Sequence, residues 1–253
     1  PGWEETPQSN MENHMKHVKF SVAALLLIVI SGCSTTKPGT STYNYNEPDT
    51  SVSIENETVV EGGFDEVWSR LTERLSNSFF AVEKVDKESR LINLSFSSQD
   101  PEKYVDCGTV VWGLSFKGKT NEDEYPVARD SSYKSAGRYG QDNHLGTINK
   151  LSRETSVKGQ VNVYVRPETE GNTEVGVNAR YGGNVVISGI QEQYGMFGKL
   201  KDIYLIPEET YEAPSFNSKT VGTKEYEDGS STTCVSKGVL ESRILELAQK
   251  EAQ

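Results

Sequence analysis

The sequence predicts an α+β fold, an antiparallel sheet with a helix near each end of the domain. Two amphipathic segments predict the helices. Residues 64–75 and residues 239–252 each place apolar side chains three and four positions apart. Between them, apolar residues at every second position of 157–166 and 173–181 predict two antiparallel strands joined by a turn. Helices on either side of such a strand series would pack on one face of the sheet.

Further strands are predicted on both sides of a long polar segment. Each has alternating or continuous apolar residues and is bounded by Gly, Asp or Ser. Residues 117–156 contain few aliphatic side chains and therefore predict a long loop-rich insertion. The remaining predicted strands are 51–60, 79–85, 90–97, 104–116, 185–190, 203–206 and 216–221.

The N-terminal region carries the most specific signal in the chain. Lys16 and Lys19 flank the start of an apolar run from Phe20 to Ile30. A transmembrane helix needs about 20 apolar residues, so this shorter run predicts a secretory signal peptide. The run ends in Ile-Ser-Gly-Cys33, which resembles the lipobox of bacterial lipoproteins. The resemblance implies that Cys33 is lipidated and becomes the mature N-terminus; a short buried helix with a stray cysteine is the alternative.

This signal divides the chain into three predicted parts. Residues 1–32 are an upstream extension and signal peptide, with Met11 or Met15 as the start. Residues 33–50 are polar and predict a flexible tether. Residues 51–253 form a single periplasmic domain. The serine after Cys33 favours, by analogy with lipoprotein sorting, the periplasmic face of the outer membrane.

Charge and cysteine content narrow the expected partners and compartment. The net charge of −11 argues against nucleic acid, whose phosphates favour a basic surface. If Cys33 carries lipid, Cys107 and Cys234 remain. An even number of cysteines in an oxidising compartment predicts a disulfide between them, with two separate buried thiols as the alternative. The expected partners are the membrane, through the lipid, and other envelope proteins.

The segment 64–97 resembles a known family. A helix carrying Phe64, Val67, Trp68 and Leu71 leads into a strand, an Asp-containing turn and a second strand. This order resembles the repeats of BamC-like lipoproteins, which belong to an outer-membrane assembly machinery. The resemblance implies a helix-grip domain and a role in envelope assembly.

The residues give no catalytic constellation. His144 is the one histidine after Cys33, and no Gly-x-Ser-x-Gly turn accompanies it. A Cys-x-x-Cys pair and a phosphate-binding Gly-Lys-Ser/Thr sequence are also missing from the sequence. We therefore expect no catalytic residue, no metal site and no cofactor, and we expect that the protein is not an enzyme.

Aromatic residues are the candidate contacts with a partner or ligand. Tyrosines interleaved with Gly, Asn and Ser are typical of adaptable recognition surfaces, although aromatic residues at strand spacing more often belong to a core. The candidates are Trp112, Tyr133, Tyr139, Tyr181 and Tyr194.

Three functions follow from these observations. The first is a non-catalytic, lipid-anchored binding or scaffolding subunit of an outer-membrane envelope assembly. The second is a cell-wall glycan hydrolase that uses two carboxylates, because acidic residues are abundant. The third is a carrier of a lipid or small ligand, because a helix gripped by a curved sheet can form a pocket.

Overall fold

The structure is a computed structural model. It describes residues 39–137, 146–169, 171–195, 198–227 and 229–249, all within one compact unit, Thr35–Gln253. The signal peptide, Cys33, Tyr139 and His144 lie outside the described residues.

The predicted α+β class is wrong, because the structure is mostly β. Of the described residues, 61% lie in strands and 13% in helices. The two predicted helices are present as α1 (Phe64–Ser76) and α2 (Val239–Ala248), but they flank a much larger set of antiparallel sheets than the sequence indicated.

A short 3-10 helix covers Pro101–Lys103. In chain order, the strands are β1 (Thr40–Asn46), β2 (Glu57–Glu61), β3 (Ala81–Asp86), β4 (Leu91–Ser98), β5 (Val105–Asp106), β6 (Thr109–Phe116), β7 (Lys119–Pro126), β8 (Ser131–Ala136), β9 (Thr147–Thr169), β10 (Asn172–Tyr194), β11 (Leu200–Glu212), β12 (Phe216–Asn217), β13 (Gly222–Glu225) and β14 (Ser231–Ser236).

The hairpin of β9 and β10 organises the largest sheet. The two strands pair antiparallel over 23 residues each, and β4, β3 and β11 extend the sheet in the order β11-β10-β9-β4-β3. Strands β2 and β12 also pair with β10, and β8 pairs with β9. Successive side chains of a strand point to opposite faces, so the odd-numbered residues of β9 and β10 share one face. We call this the inner face, because its side chains are buried along most of the hairpin.

The hydrophobic core lies where the inner face meets the helices. Valines at alternate positions of β9 and β10 pack there with one stripe of each helix. This burial explains why the helices form where the sequence places apolar residues three and four positions apart. Arg70 of α1 also joins the two helices, because its Nε and Nη2 atoms donate to the Ala248 carbonyl at 3.1 and 3.0 Å, near the end of α2.

Two segments predicted to be irregular are strands. Thr40–Asn46, in the predicted tether, forms β1 and pairs with β6, so that Tyr43 lies opposite Trp112. The predicted insertion at 117–156 contains β7, β8 and the beginning of β9. Both segments are polar, and their backbone groups nevertheless pair in ladders that do not depend on apolar side chains.

Besides the small sheet in the order β1-β6-β7, a third sheet has the order β13-β14-β5, and its strand β14 directly precedes α2 in the chain. Cys107 follows β5 and Cys234 lies in β14, which pairs with β5. The structure joins these two cysteines in a disulfide, with Sγ atoms 2.02 Å apart.

Candidate functional site

A pocket of about 60 Å³ lies against the inner face of the β9–β10 hairpin, next to the disulfide. We call it the Arg153 pocket. The turn after β7, the segment between β11 and β12, and Tyr226 after β13 line it opposite the hairpin, together with Pro101, Val105 and Thr232. Its wall is mostly apolar and includes Val127, Ala128, Val157, Val185, Pro214 and Phe216, together with Cys107 and Cys234; Arg153 and Thr155 are among its polar members.

Strand β9 positions the guanidinium of Arg153. The residue lies in phase with the buried valines of the inner face, between Leu151 and Thr155, and only 8% of its surface is exposed. Its Nη1 atom donates to the Arg129 carbonyl at 3.0 Å. Burial lowers the pKa of Arg153, and the neighbouring Tyr125 and Tyr133 oppose that shift. A guanidinium nevertheless remains charged at physiological pH.

No carboxylate of the described residues pairs directly with this buried charge, and Asp130 acts on it only at longer range. No side-chain carboxylate of a described residue lies within 4 Å of the Arg153 nitrogens. Burying an ion without a direct partner typically costs several kcal/mol, and the charge of Asp130 offsets part of that cost here. The guanidinium is therefore the feature of this pocket that most requires a functional explanation.

Asp130 lies near Arg153 but is engaged elsewhere. Its exposed carboxylate accepts the Thr155 amide at 2.6 Å and the Thr155 hydroxyl at 2.9 Å. The Val127 amide donates to the Gly108 carbonyl at 2.9 Å. These bonds hold the turn after β7 against β9, and thereby place Val127 and Ala128 in the pocket wall.

Two of the candidate contact residues come together beside Arg153. The rings of Trp112 and Tyr133 stack with centroids 5.0 Å apart, and Tyr43 and Tyr125 pack against this pair. Tyr133 is buried, and burial raises its pKa, so its hydroxyl stays protonated at neutral pH. The cluster packs against the polar half of the inner face rather than forming a loop surface, as the sequence suggested.

Tyr181 is a core residue and not a surface contact. It is 1% exposed, and its hydroxyl donates to the carboxylate of Glu241 at 2.9 Å. Burial and the Glu241 charge raise the pKa of Tyr181. Ser218 Oγ donates to the same carboxylate at 2.6 Å, and Ser236 Oγ donates to the Tyr181 hydroxyl oxygen at 3.0 Å. The group ties α2 to β10 and β14, and one edge of the Tyr181 ring reaches the Arg153 pocket.

Tyr194 lies at the far end of β10. Its ring packs 5.1 Å from the ring of Phe116, and its hydroxyl donates to Glu192 at 2.7 Å. That hydrogen bond, followed by burial, raises the pKa of Tyr194 to about 12. It belongs to a separate cluster and does not contribute to the Arg153 pocket.

The two carboxylates that are buried among the described residues do not form a glycosidase pair. Glu192 lies in β10 and forms an ion pair with Lys150, whereas Glu241 is held by Tyr181. Tyr181 and Glu192 are eleven positions apart along β10, which is about 36 Å of extended strand. Catalytic carboxylates of glycoside hydrolases lie about 5–10 Å apart. The buried acids therefore do not favour the hydrolase alternative.

Sequence reasoning missed the Arg153 pocket. The apolar alternation that predicts β9 begins at Val157, although the same phase of the strand runs back through Thr155, Arg153 and Leu151. A charged residue in phase with buried valines was the available signal. The companion segments come from distant parts of the chain, and no sequence pattern links them to β9.

No family model, curated protein or solved structure matches this chain. The resemblance to BamC-like lipoproteins therefore rests on the sequence alone. None of the helices in the described ranges is long and apolar enough to cross a bilayer. Within the same ranges, no three His, Cys, Asp or Glu side chains are grouped as ligands for a metal ion.

Proposed function

We propose that this protein is a non-catalytic binding protein of the bacterial envelope, held at the periplasmic face of the outer membrane by lipid on Cys33. Its domain binds a small ligand in the Arg153 pocket. The observation that carries this proposal is a buried guanidinium, without a directly paired carboxylate among the described residues, in a mostly apolar wall. Ligand sites typically combine apolar walls with a few polar groups that orient the ligand.

Ligand binding would also offset the cost of burying Arg153. A charged group excluded from water loses hydration that a partner of opposite charge can replace. Thr155, which also lines the pocket on the inner face, already donates to Asp130, which leaves the guanidinium as the one charged recognition group of the lining. Both features favour a carrier or sensor over an enzyme.

Native mass spectrometry of the full-length protein, purified from its own membranes without denaturation, tests this function. We expect the wild-type protein to carry an added small mass and Arg153→Gln to lack it. Arg166→Gln is the matched control, because Arg166 lies exposed on β9 and pairs with Glu174. The proposal fails if neither wild type nor control carries a ligand and a library of small metabolites does not raise the melting temperature of either.

The anchor is tested separately. Radiolabelled palmitate should enter the protein in bacterial cells and should not enter Cys33→Ala. Equal labelling of Cys33→Ala would refute lipidation at this position, whatever the pocket binds.

A second candidate function is the docking of an envelope protein on β11. This strand is an edge of the largest sheet, and it exposes Ile203 and Leu205 by 55% and 82%. Exposed edges are templates for an added strand. Lys199 precedes the strand and Lys201 lies at its start, 3.8 Å from the Asp202 carboxylate, whereas Glu208 and Glu212 lie towards its other end. The complementary partner is an extended antiparallel segment whose acidic end faces the lysines.

Site-specific photo-crosslinking tests this docking. A crosslinker at Leu205 should capture an extended segment of an envelope protein, and Lys201→Glu should weaken the capture. Val85 provides the control position, because it is exposed on β3 at the opposite edge of the same sheet. Equal capture from both positions, or capture that is insensitive to Lys201→Glu, would contradict docking on β11.

A further inference from the structure

We propose that the ligand of the Arg153 pocket is a small monocarboxylate. Its carboxylate pairs with the Arg153 guanidinium, and its short apolar chain lies against Val127, Ala128 and Val185. This inference rests on the proposed binding function and adds the chemical class of the ligand.

The guanidinium has the free donors that a carboxylate needs. Arginine carries five N–H donors in a planar fork that matches two carboxylate oxygens. Nη1 donates to the Arg129 carbonyl, and neither Nε nor Nη2 has a hydrogen-bond partner among the described residues. Asp130 does not fill this role, because both of its hydrogen bonds come from Thr155.

The volume of the pocket limits the size of the ligand. A buried water needs about 10–15 Å³ of cavity volume. A cavity of about 60 Å³ therefore has room for roughly four to six water-sized groups. Acetate, propionate and butyrate have between four and six non-hydrogen atoms. A chain that fills the pocket therefore has few carbons beyond the carboxylate.

The wall of the pocket distinguishes a carboxylate from other anions and from sugars. Val127, Ala128, Val157 and Phe216 are buried and offer no side-chain hydrogen bonds, whereas Ser156, Asn184, Tyr226 and Thr232 line other parts of the pocket. A phosphate would direct polar oxygens at the apolar part of the wall as well, and a sugar would do the same with its hydroxyls, each at the cost of an unpaired polar group there. A monocarboxylate concentrates its polarity at one end and matches the single cation.

Isothermal titration calorimetry on the full-length protein tests the ligand class with butyrate, butyramide, butylamine, octanoate and inorganic phosphate. We expect butyrate to bind at least tenfold more tightly than butyramide, butylamine or phosphate. Octanoate should bind no more tightly than butyrate, because the pocket has no room for the rest of its longer chain. Arg153→Gln should lose butyrate binding, Arg153→Lys should weaken it at least tenfold through loss of the fork, and Arg166→Gln should leave it unchanged.

The outcomes separate this inference from the proposed function. Butyramide or phosphate binding as tightly as butyrate would overturn the carboxylate class and leave a binding function in place. Octanoate binding tenfold more tightly would overturn the size limit. The absence of binding by every probe, together with the absence of a co-purified mass, would overturn the proposed function itself. If Arg153→Gln fails to fold, the comparison of butyrate with butyramide in the wild-type protein decides.

Discussion

The fully buried Glu241 carboxylate shows how single residues hold this molecule together. Its oxygens accept hydrogen bonds from Tyr181 on β10 and Ser218 after β12, and Ser236 in β14 donates to the Tyr181 hydroxyl oxygen. Ser218 Oγ is also bonded to the Ala179 backbone, and Ser236 Oγ accepts the Gly238 amide just before α2. One side chain of α2 therefore connects three other parts of the chain.

Replacing Glu241 with Gln should destabilise the protein by about 1–3 kcal/mol, because an amide group would face hydroxyls that now donate to a carboxylate oxygen. Urea unfolding followed by circular dichroism measures the change. Glu246→Gln is the control on the same helix, because Glu246 is exposed and its pair with Arg243 contributes at most about 1 kcal/mol. Equal losses in the two variants would contradict the role of Glu241.

The buried Tyr181 makes the free energy of unfolding depend on pH in the alkaline range. Burial and the charge of Glu241 raise the pKa of Tyr181 above its usual value of 10.0. The folded state then holds a proton that the unfolded state releases above about pH 10, so stability is complete below that pH and falls as the pH rises further. Burial raises the pKa of Tyr125 and Tyr133 in the same direction.

Urea unfolding between pH 9 and pH 11 should therefore show a falling midpoint, and Tyr181→Phe should show a shallower fall. Tyr164→Phe, which alters an exposed tyrosine of β9, should keep the wild-type slope. A midpoint that does not change with pH in wild type would refute the linkage.

At the scale of elements, hydropathy located the parts that face the core. The helix from Phe64, the helix from Val239 and the hairpin of 157–181 were predicted because one face of each is buried against apolar neighbours. Strands β1, β7 and β11 were missed or shortened because they expose polar residues on one or both faces. Their position is set by backbone pairing with distant strands, and a sequence pattern carries little of that information.

The candidate site follows the same rule. The sequence predicts Trp112 and Tyr133 as candidate ligand contacts because they are aromatic, and in the structure their rings stack on each other. Their neighbour Arg153 could not be assigned to a pocket, because Val127 and Phe216 reach it from segments 26 and 63 positions away in sequence. The Gly, Asn and Ser residues around Tyr181 predict a recognition contact. Its side chain nevertheless points to the inner face of the sheet, which makes it a core residue.

A glycine in β9 gives a sharp test of packing between elements. A Cβ atom at Gly159 would lie 2.2 Å from Phe96 Cε1, a distance that real Cβ contacts do not reach. We expect Gly159→Ala to cost about 1–3 kcal/mol in urea unfolding, because Phe96 must move within a packed core. Gly182→Ala is the control, because a Cβ there meets nothing within 4 Å. Equal stability of both variants would contradict this packing.

At the scale of the whole molecule, the disulfide is the long-range covalent link within the described residues. Cys107 and Cys234 are 127 positions apart, and the bond joins the segment before β6 to the strand before α2. In the loop-entropy model, a loop of this length contributes about 4–5 kcal/mol, although measured values are often smaller. The same bond forms part of the wall of the Arg153 pocket.

We expect the unfolded, non-reduced protein to contain no free thiol at these two positions, as measured with a thiol-reactive dye. Cys107→Ala with Cys234→Ala should lower the free energy of unfolding by about 2–5 kcal/mol. Two reactive thiols in the wild-type protein, at positions 107 and 234, would remove the crosslink. An unchanged urea midpoint in the double variant would show that the bond does not stabilise the fold.

The most direct test of the central claim is the side-chain NMR signal of Arg153. In full-length protein labelled with ¹⁵N-arginine, the Nε–Hε signal that disappears in Arg153→Gln reports on the pocket. We predict that this signal shifts on titration with butyrate and saturates with the calorimetric affinity, while the signal of Arg166 stays in place. A saturating heat of binding with no shift at Arg153 would contradict the account.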